Sequence, residues 1–231
     1  MAINVLGINH KTTPIGIREK LVFDRKSVPQ ALKDIKKIKG VNEVVLLSTC
    51  NRTEIYTEND KDNSQILSWL RNQNSSVDIT TYTYNHYDED AIKHLFNVTS
   101  GVDSMVIGEN EILGQVKNAF KIADDQKTVK TTLKRLFEYS FNVAKQVRTD
   151  TDIGSNPVSF MFTAMSLIKK IFSKLESKNA VILGSGYMSQ LAIKYLQSHG
   201  ITNITLTNHS PEKGRKVADE NNCIYTKIHY L

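Results

Sequence analysis

Val44-Val45-Leu46-Leu47-Ser48-Thr49-Cys50-Asn51-Arg52-Thr53-Glu54 is an aliphatic run that breaks into a polar turn around a single thiol. The apolar part reads as a buried strand over Val41 to Leu47, and Glu54 to Thr57 reads as a second strand returning from the turn. Cys50 is thereby set at a strand end, two residues from the cation of Arg52. Strand ends of α/β folds are where sites collect. A nearby guanidinium favours thiolate over thiol, and thiolate is the form that attacks carbonyl carbon. On spacing alone two readings stand: a nucleophile, or one of the many cysteines that are simply small buried hydrophobes.

Working outward, residues 3–9 alternate around Ile3, Val5, Leu6 and Ile8 as a short strand. Ile15 to Phe23 and Val28 to Ile38 read as helices, the second with Ala31, Leu32, Ile35 and Ile38 on one face and Gly40 as its stop. Ser64 to Arg71 reads as another. Residues 72–85 are polar and rich in Thr and Tyr, either an edge strand or a loop. Helices are expected at Asp88–Thr99, Glu111–Asp124 and Leu133–Arg148. Strands early and helices late make an α+β unit.

Asn156-Pro157 punctuates the chain, since the residue before proline avoids helix. Beyond it the pattern changes: a helix from Val158 to Leu175, a short strand Ala180-Val181-Ile182-Leu183, and a tight turn Gly184-Ser185-Gly186. A helical stripe of Met188, Leu191, Ala192, Tyr195 and Leu196 ends at Gly200. A strand over Ile201 to Asn208, a helix over Pro211 to Glu220 and a strand at Cys223–Ile228 complete a βαβ pattern.

Composition narrows the classes. The chain has 231 residues, 40% hydrophobic and 23% charged, an ordinary globular balance. It contains no apolar stretch of membrane-spanning length and no secretory pattern at its N-terminus, so a cytoplasmic protein is expected. Two cysteines, Cys50 and Cys223, make no disulfide framework. The net charge of +6 is a mild bias toward polyanions. Residues 1–150 carry 21 basic and 19 acidic side chains and residues 151–231 carry 9 and 5, too little in either part to claim nucleic-acid binding. On the 133–148 helix, Lys134, Lys145 and Arg148 share a narrow arc, which reads either as a phosphate-touching flank or as a solvated face.

Several stretches, in order and in register, resemble glutamyl-tRNA reductase. They are Gly7 to Thr12, Ser48 to Glu54, Ser100 to Glu109, Ile112-Leu113-Gly114-Gln115-Val116, and Ala144 to Gly154. The resemblance covers residue 3 to about residue 154 and continues more weakly to about residue 222. It implies an α+β N-terminal catalytic domain over residues 1–154, which recognises glutamyl-tRNA. A partial α/β Rossmann-like, NADPH-binding domain follows over residues 155–231. The C-terminal dimerisation domain of the family, which forms homodimers, is expected to be absent.

The implied reaction begins when a thiolate attacks the ester carbonyl that joins glutamate to the tRNA 3′ end. The resulting thioester is reduced by NADPH to glutamate-1-semialdehyde, the precursor of 5-aminolevulinate and tetrapyrroles. Glutamate-1-semialdehyde aminomutase is the implied downstream partner. Cys50 carries over as nucleophile and His94 as the proton-transferring histidine, with His86 and His10 as rivals. Thr49, Asn51 and Arg52 carry over as substrate-holding neighbours, Arg52 as a fork for a carboxylate. Ser104, Glu109 and Gln115 match positions that recognise the glutamyl moiety. Glu109-Asn110-Glu111 stands where the family usually has Glu-Pro-Gln. A carboxylate at Glu111 either faces the substrate's own carboxylate or sits favourably in the first turn of the next helix.

Gly184-Ser185-Gly186-Tyr187-Met188-Ser189 follows a strand and opens a helix, the context a dinucleotide site requires. Ser189 replaces the third small residue, and Tyr187 replaces one that is usually acidic in the family. Asn208-His209-Ser210 stands where the family shows Asn-Arg-Thr. No acid is placed to hold a ribose hydroxyl, and Lys213 and Arg215 lie just downstream. Only one βαβ half is legible, so reduction is expected to be impaired. The alternative is an inactive truncated paralogue that binds glutamyl-tRNA or a partner reductase.

Overall fold

In the computed structural model of the chain the described residues are 2–60, 62–74, 78–153, 160–172 and 174–227, without the side chains of Phe160, Phe162 and Tyr187. Asn156-Pro157 and the start of the helix expected from Val158 lie outside them. The chain divides into two compact units, Met1–Pro157 and Val158–Leu231.

The first unit is built on four antiparallel strands: β1 (Ala2–Asn9), β2 (Glu43–Ser48), β3 (Arg52–Asn59) and β4 (Tyr84–Tyr87). Their order is β2-β3-β1-β4, so β4 is an edge strand; of the Thr/Tyr-rich stretch only Tyr84 and Asn85 belong to it, and residues 78–83 before it are turn and loop. Register aligns Leu47, Glu54, Gly7 and Tyr84 in one row across the sheet, and Val45, Tyr56, Val5 and His86 in the next but one. Because side chains alternate, both rows point to the same face. Against that face lie α4 (Asp88–Ser100), α5 (Glu111–Asp125) and α6 (Thr131–Asp150), with the rings of Tyr56 and Phe137 meeting edge to face at 5.4 Å. The opposite face, with Leu6, Ile8, Leu46 and Ile55, shares the core with Leu21 and with α2 (Val28–Lys36), whose Ala31, Leu32 and Ile35 turn inward as the periodicity requires.

Local chemistry fixes the ends. α4 opens on Asp88, Glu89 and Asp90, acids that suit the positive end of a helix dipole, and closes on Gly101 in the left-handed conformation (φ 80°). α6 is capped from outside its own sequence. The Glu43 carboxylate of β2 accepts hydrogen bonds from the backbone N–H groups of Lys130 (2.7 Å), Thr132 (2.9 Å) and Leu133 (2.9 Å). The helix expected at Ile15–Phe23 is shorter. α1 (Ile15–Arg18) runs into a 3-10 turn at Glu19–Leu21 and stops, because the Phe23 N–H is drawn to the Ser48 hydroxyl at 2.9 Å. α3 (Ser64–Asn72) completes the unit.

In the second unit α7 (Phe160–Ile171) precedes three parallel strands, β5 (Asn179–Leu183), β6 (Asn203–Thr207) and β7 (Ile224–Tyr225), in the order β5-β6-β7. α8 (Tyr187–Ser198) and α9 (Pro211–Glu220) make the crossovers. α7 stops short of the expected Leu175, which is buried in the segment after it, and β7 is only two residues of the expected strand, with Ile228 outside the described residues. β5 is an edge of this sheet, and its Val181 and Leu183 are 55% and 69% exposed.

Candidate active site

Cys50 rides on the three-residue turn that joins β2 to β3. The turn is tied at its base by the Thr49 N–H donating to the Arg52 carbonyl at 2.8 Å. The Thr49 hydroxyl accepts from the backbone N–H groups of Asn51 and Arg52, each at 3.1 Å. Thr49 is therefore occupied in shaping the turn, Asn51 is half-buried, and the Cys50 side chain stands exposed. The buried-hydrophobe reading of this cysteine is excluded. The strand end is not that of a parallel α/β sheet, however, but the tip of an antiparallel hairpin.

Below the turn lies a buried charge network centred on Glu54, which is fully buried. Its Oε1 accepts from Arg52 Nη1 at 2.6 Å, from the Tyr84 hydroxyl at 2.5 Å and from His94 Nε2 at 3.0 Å, while Oε2 accepts from the Tyr56 hydroxyl at 2.6 Å. Burial opposes a charge there, but Arg52 and the His94 hydrogen bond outweigh it and hold the carboxyl well below the usual range. Burial and the Glu54 charge together push both tyrosine hydroxyls up. The row of the sheet that carries Glu54 and Tyr84 passes over Gly7. A methyl group at Gly7 would stand 2.8 Å from Glu54 Cγ and 3.0 Å from the Tyr84 hydroxyl, so the bond between them needs a glycine beneath it.

Arg52 is correspondingly unlike its sequence reading. It is 2% exposed and committed to Glu54 and to Asp103, whose carbonyl it donates to and whose Oδ2 lies 3.3 Å away. A guanidinium so enclosed is not an open fork for a substrate carboxylate. Asp103 in turn pairs with Lys11. Burial works against the Asp103 charge, yet the Lys11 hydrogen bond and Arg52 keep its pKa lowered. Of the rival histidines, the His86 ring lies tilted 4.7 Å from that of His94, and its pKa is lowered by burial and then by its neighbour His94. His10 has a buried Nδ1 without a partner, and burial, followed by Arg52, lowers its pKa.

The segment after α4 carries the expected substrate residues. Gly101 and Gly108 both take positive φ, and the Gly108 N–H closes on the Gly101 carbonyl at 2.9 Å. Arg148, at the end of α6, donates to the Glu109 carbonyl at 2.6 Å and to the Asn110 side chain. Asn110 is thus spent on holding the segment. Arg148 is spent too, and Lys134 lies 3.4 Å from Asp124, so two of the three cations on the arc that read as phosphate-touching or solvated are engaged within the protein. Ser104 is buried beside Glu109, whose carboxylate its hydroxyl favours. The pKa of Glu109 is raised by burial and then by its neighbour Glu111. Glu111 occupies the first turn of α5, the favourable alternative foreseen for it, with Oε2 buried and unpaired. Gln115 is exposed one turn on and lines a cavity of about 160 Å³ with Ser48, Phe23 and Arg25.

In the second unit, Gly184 has φ 101° and donates its N–H to the Thr207 carbonyl at 2.8 Å, and Gly186 caps α8 with open space where a side chain would stand. Ser185 gives its carbonyl to Gln190 Nε2 at 3.3 Å. Ser189 Oγ would lie 3.7 Å from a methyl at Gly184, so it leaves the turn undisturbed. Met188 is exposed, and the Tyr187 side chain is not among those described. This turn, set at the N-terminus of α8, fits a pyrophosphate. At the end of β6, Asn208 bonds the Ser210 carbonyl at 3.0 Å and His209 is exposed, with no carboxylate at hand for a ribose.

Sequence reasoning passed over Glu54, Tyr56, Tyr84, Asp103 and Gly7. A signal was there: Arg52, Glu54 and Tyr56 recur at every second position of a strand and so share a face.

Together, fold and site define a chain in which an α+β unit presenting an exposed thiol precedes one half of a parallel, nucleotide-binding type of sheet. The family model for the glutamyl-tRNAGlu reductase N-terminal domain matches residues 6–151, and that for shikimate / quinate 5-dehydrogenase matches residues 166–231. The chain belongs to the glutamyl-tRNA reductase family. It is 43% identical over 222 residues to the glutamyl-tRNA reductase of Hydrogenovibrio crunogenus, covering 95% of this chain and 51% of that protein. For the enzyme of Pseudoalteromonas translucida the figures are 41% over 223 residues, 95% and 53%. The glutamyl-tRNA reductase structure from Methanopyrus kandleri matches with a TM-score of 0.65 and 29% identity over 99% of this chain and 55% of that one. The chain spans about half the length of these relatives. Among the described residues no helix is long and apolar enough to cross a membrane.

Proposed function

We propose that Cys50 takes the glutamyl group of glutamyl-tRNA as a thioester, which hydride from NADPH then reduces to glutamate-1-semialdehyde. On this reading residues 1–154 are the thiol unit and residues 155–231 the part that holds the cofactor's pyrophosphate. The Cys50 thiolate forms a C–S bond with the ester carbonyl carbon, the C–O bond to the terminal ribose breaks, and the released oxygen takes a proton to restore the tRNA hydroxyl. Hydride addition then breaks the C–S bond and returns the thiolate. A thiolate leaves readily, which is why reduction stops at the aldehyde.

The observation that carries the reading is the exposed sulfur on a turn held entirely by its neighbours. It meets the acyl group without any rearrangement of the core. The Glu109 carboxylate and the Ser104 hydroxyl, in the segment clamped by Arg148, offer an acceptor and a donor for the amino and carboxylate groups of the glutamyl moiety. NADPH supplies the hydride, and Gly184, Ser185 and Gly186 with the N-terminus of α8 would hold its pyrophosphate.

Charging tRNA with radiolabelled glutamate and incubating it with the chain tests both steps. Label should become fixed to the protein, be released by hydroxylamine, and be lost in Cys50→Ser. Failure of the wild-type chain to retain any label overturns the reading. Aldehyde formed on adding NADPH measures the second step separately.

A further inference from the structure

Glu54 has four hydrogen-bond contacts and all of them must be donations to it. Arg52 Nη1 and the hydroxyls of Tyr56 and Tyr84 have a hydrogen to give, and a carboxylate with about four acceptor positions is filled by these three and His94. The remaining freedom lies in the imidazole, where either nitrogen can carry the proton of the neutral ring. Nε2 is the atom 3.0 Å from Glu54 Oε1. Among the described residues Nδ1 has no hydrogen-bond partner.

We propose that Glu54 is a positioning residue that fixes His94 as the Nε2–H tautomer, which leaves Nδ1 as the ring atom able to exchange a proton. This rests on the thioester reading above. The ring is held from three sides. Glu54 on β3 takes Nε2, Tyr84 on β4 lies edge-on with centroids 5.5 Å apart, and His86, also on β4, lies tilted against it at 4.7 Å. Gly7 on β1 leaves the space in which the Tyr84–Glu54 bond forms, so the orientation of His94 depends on a glycine in a strand that its own helix packs against. Arg52 balances the Glu54 charge, which keeps the carboxylate an acceptor and bars it from becoming a proton sink.

Histidine-selective ¹⁵N labelling of the full chain tests this. The long-range ¹H–¹⁵N spectrum of the neutral ring, reached by raising the pH until the ring shifts stop changing and with His94 assigned by the signal missing in His94→Gln, should show a protonated Nε2 and a bare Nδ1. A His94 that is chiefly the Nδ1–H form overturns the inference, and this reading needs no variant at Glu54 to fold. In Glu54→Gln, whose amide can both give and accept, the single tautomer should give way to a mixture. Single-turnover transfer to Cys50 should slow about 100-fold or more at unchanged glutamyl-tRNA affinity. Unaltered tautomer and rate in a folded Glu54→Gln would equally overturn it. Absence of any Cys50 adduct in the wild type would instead sink the thioester reading, while the tautomer would still be read from the spectrum.

Discussion

Gly7 shows how much a site can ask of a missing side chain. The residues on either side of it in the sheet, Glu54 and Tyr84, join above its backbone, and a methyl group would meet both below ordinary contact distance. Gly7→Ala should therefore destabilise the first unit by about 1–3 kcal/mol through overpacking, read from urea unfolding. In Gly7→Ala/Tyr84→Phe the loss should be smaller than the sum of the two single changes, because the hydroxyl is one of the two atoms in the way. Glu54 makes a prediction about acid. Its folded pKa is depressed, so its contribution is fully present above the ordinary value of 4.5 and erodes as pH falls below it. Glu54→Gln, which leaves Arg52 under-compensated, should cost about 3 kcal/mol near pH 7. The gap between the wild type and this variant should narrow in unfolding curves taken below pH 4.5.

Among the elements, α6 depends on a residue almost ninety positions earlier. Three of its first free N–H groups end on Glu43, so Glu43→Ala should cost about 1–2 kcal/mol and raise amide exchange at Thr132 and Leu133. At its other end Arg148 clamps the segment of Glu109 and Asn110. Arg148→Met should speed exchange at Gly108 and weaken glutamyl transfer while the helix itself stays protected. The long helices were legible in the sequence because apolar stripes at helical spacing are local. Cys50 was legible because its turn is flanked by a strong strand signal. The network around Glu54 was not, since a glutamate inside a short strand looks solvated until cross-strand register puts Gly7 and Tyr84 beside it. Arg52 was misread, and Arg148 left open between two readings, for a related reason. A cation's place on a strand or helix says nothing of which carboxylate or carbonyl another segment brings to it.

On the scale of the whole molecule, the two units differ in how their sheets are bounded. The first closes its sheet under helices on both faces, and a chain of residues 1–157 should unfold as one cooperative transition by circular dichroism and still accept label on Cys50. The second has a parallel sheet, an arrangement that elsewhere is covered on both faces. Among the described residues β5 keeps one edge unpaired and turns Val181 and Leu183 to solvent. That bare margin has a practical consequence at the bench. A strand with free amide and carbonyl groups and an oily side invites a neighbour to zip alongside. Concentrated stocks should turn cloudy on standing, and crystals grown from this chain should bury that margin against another molecule.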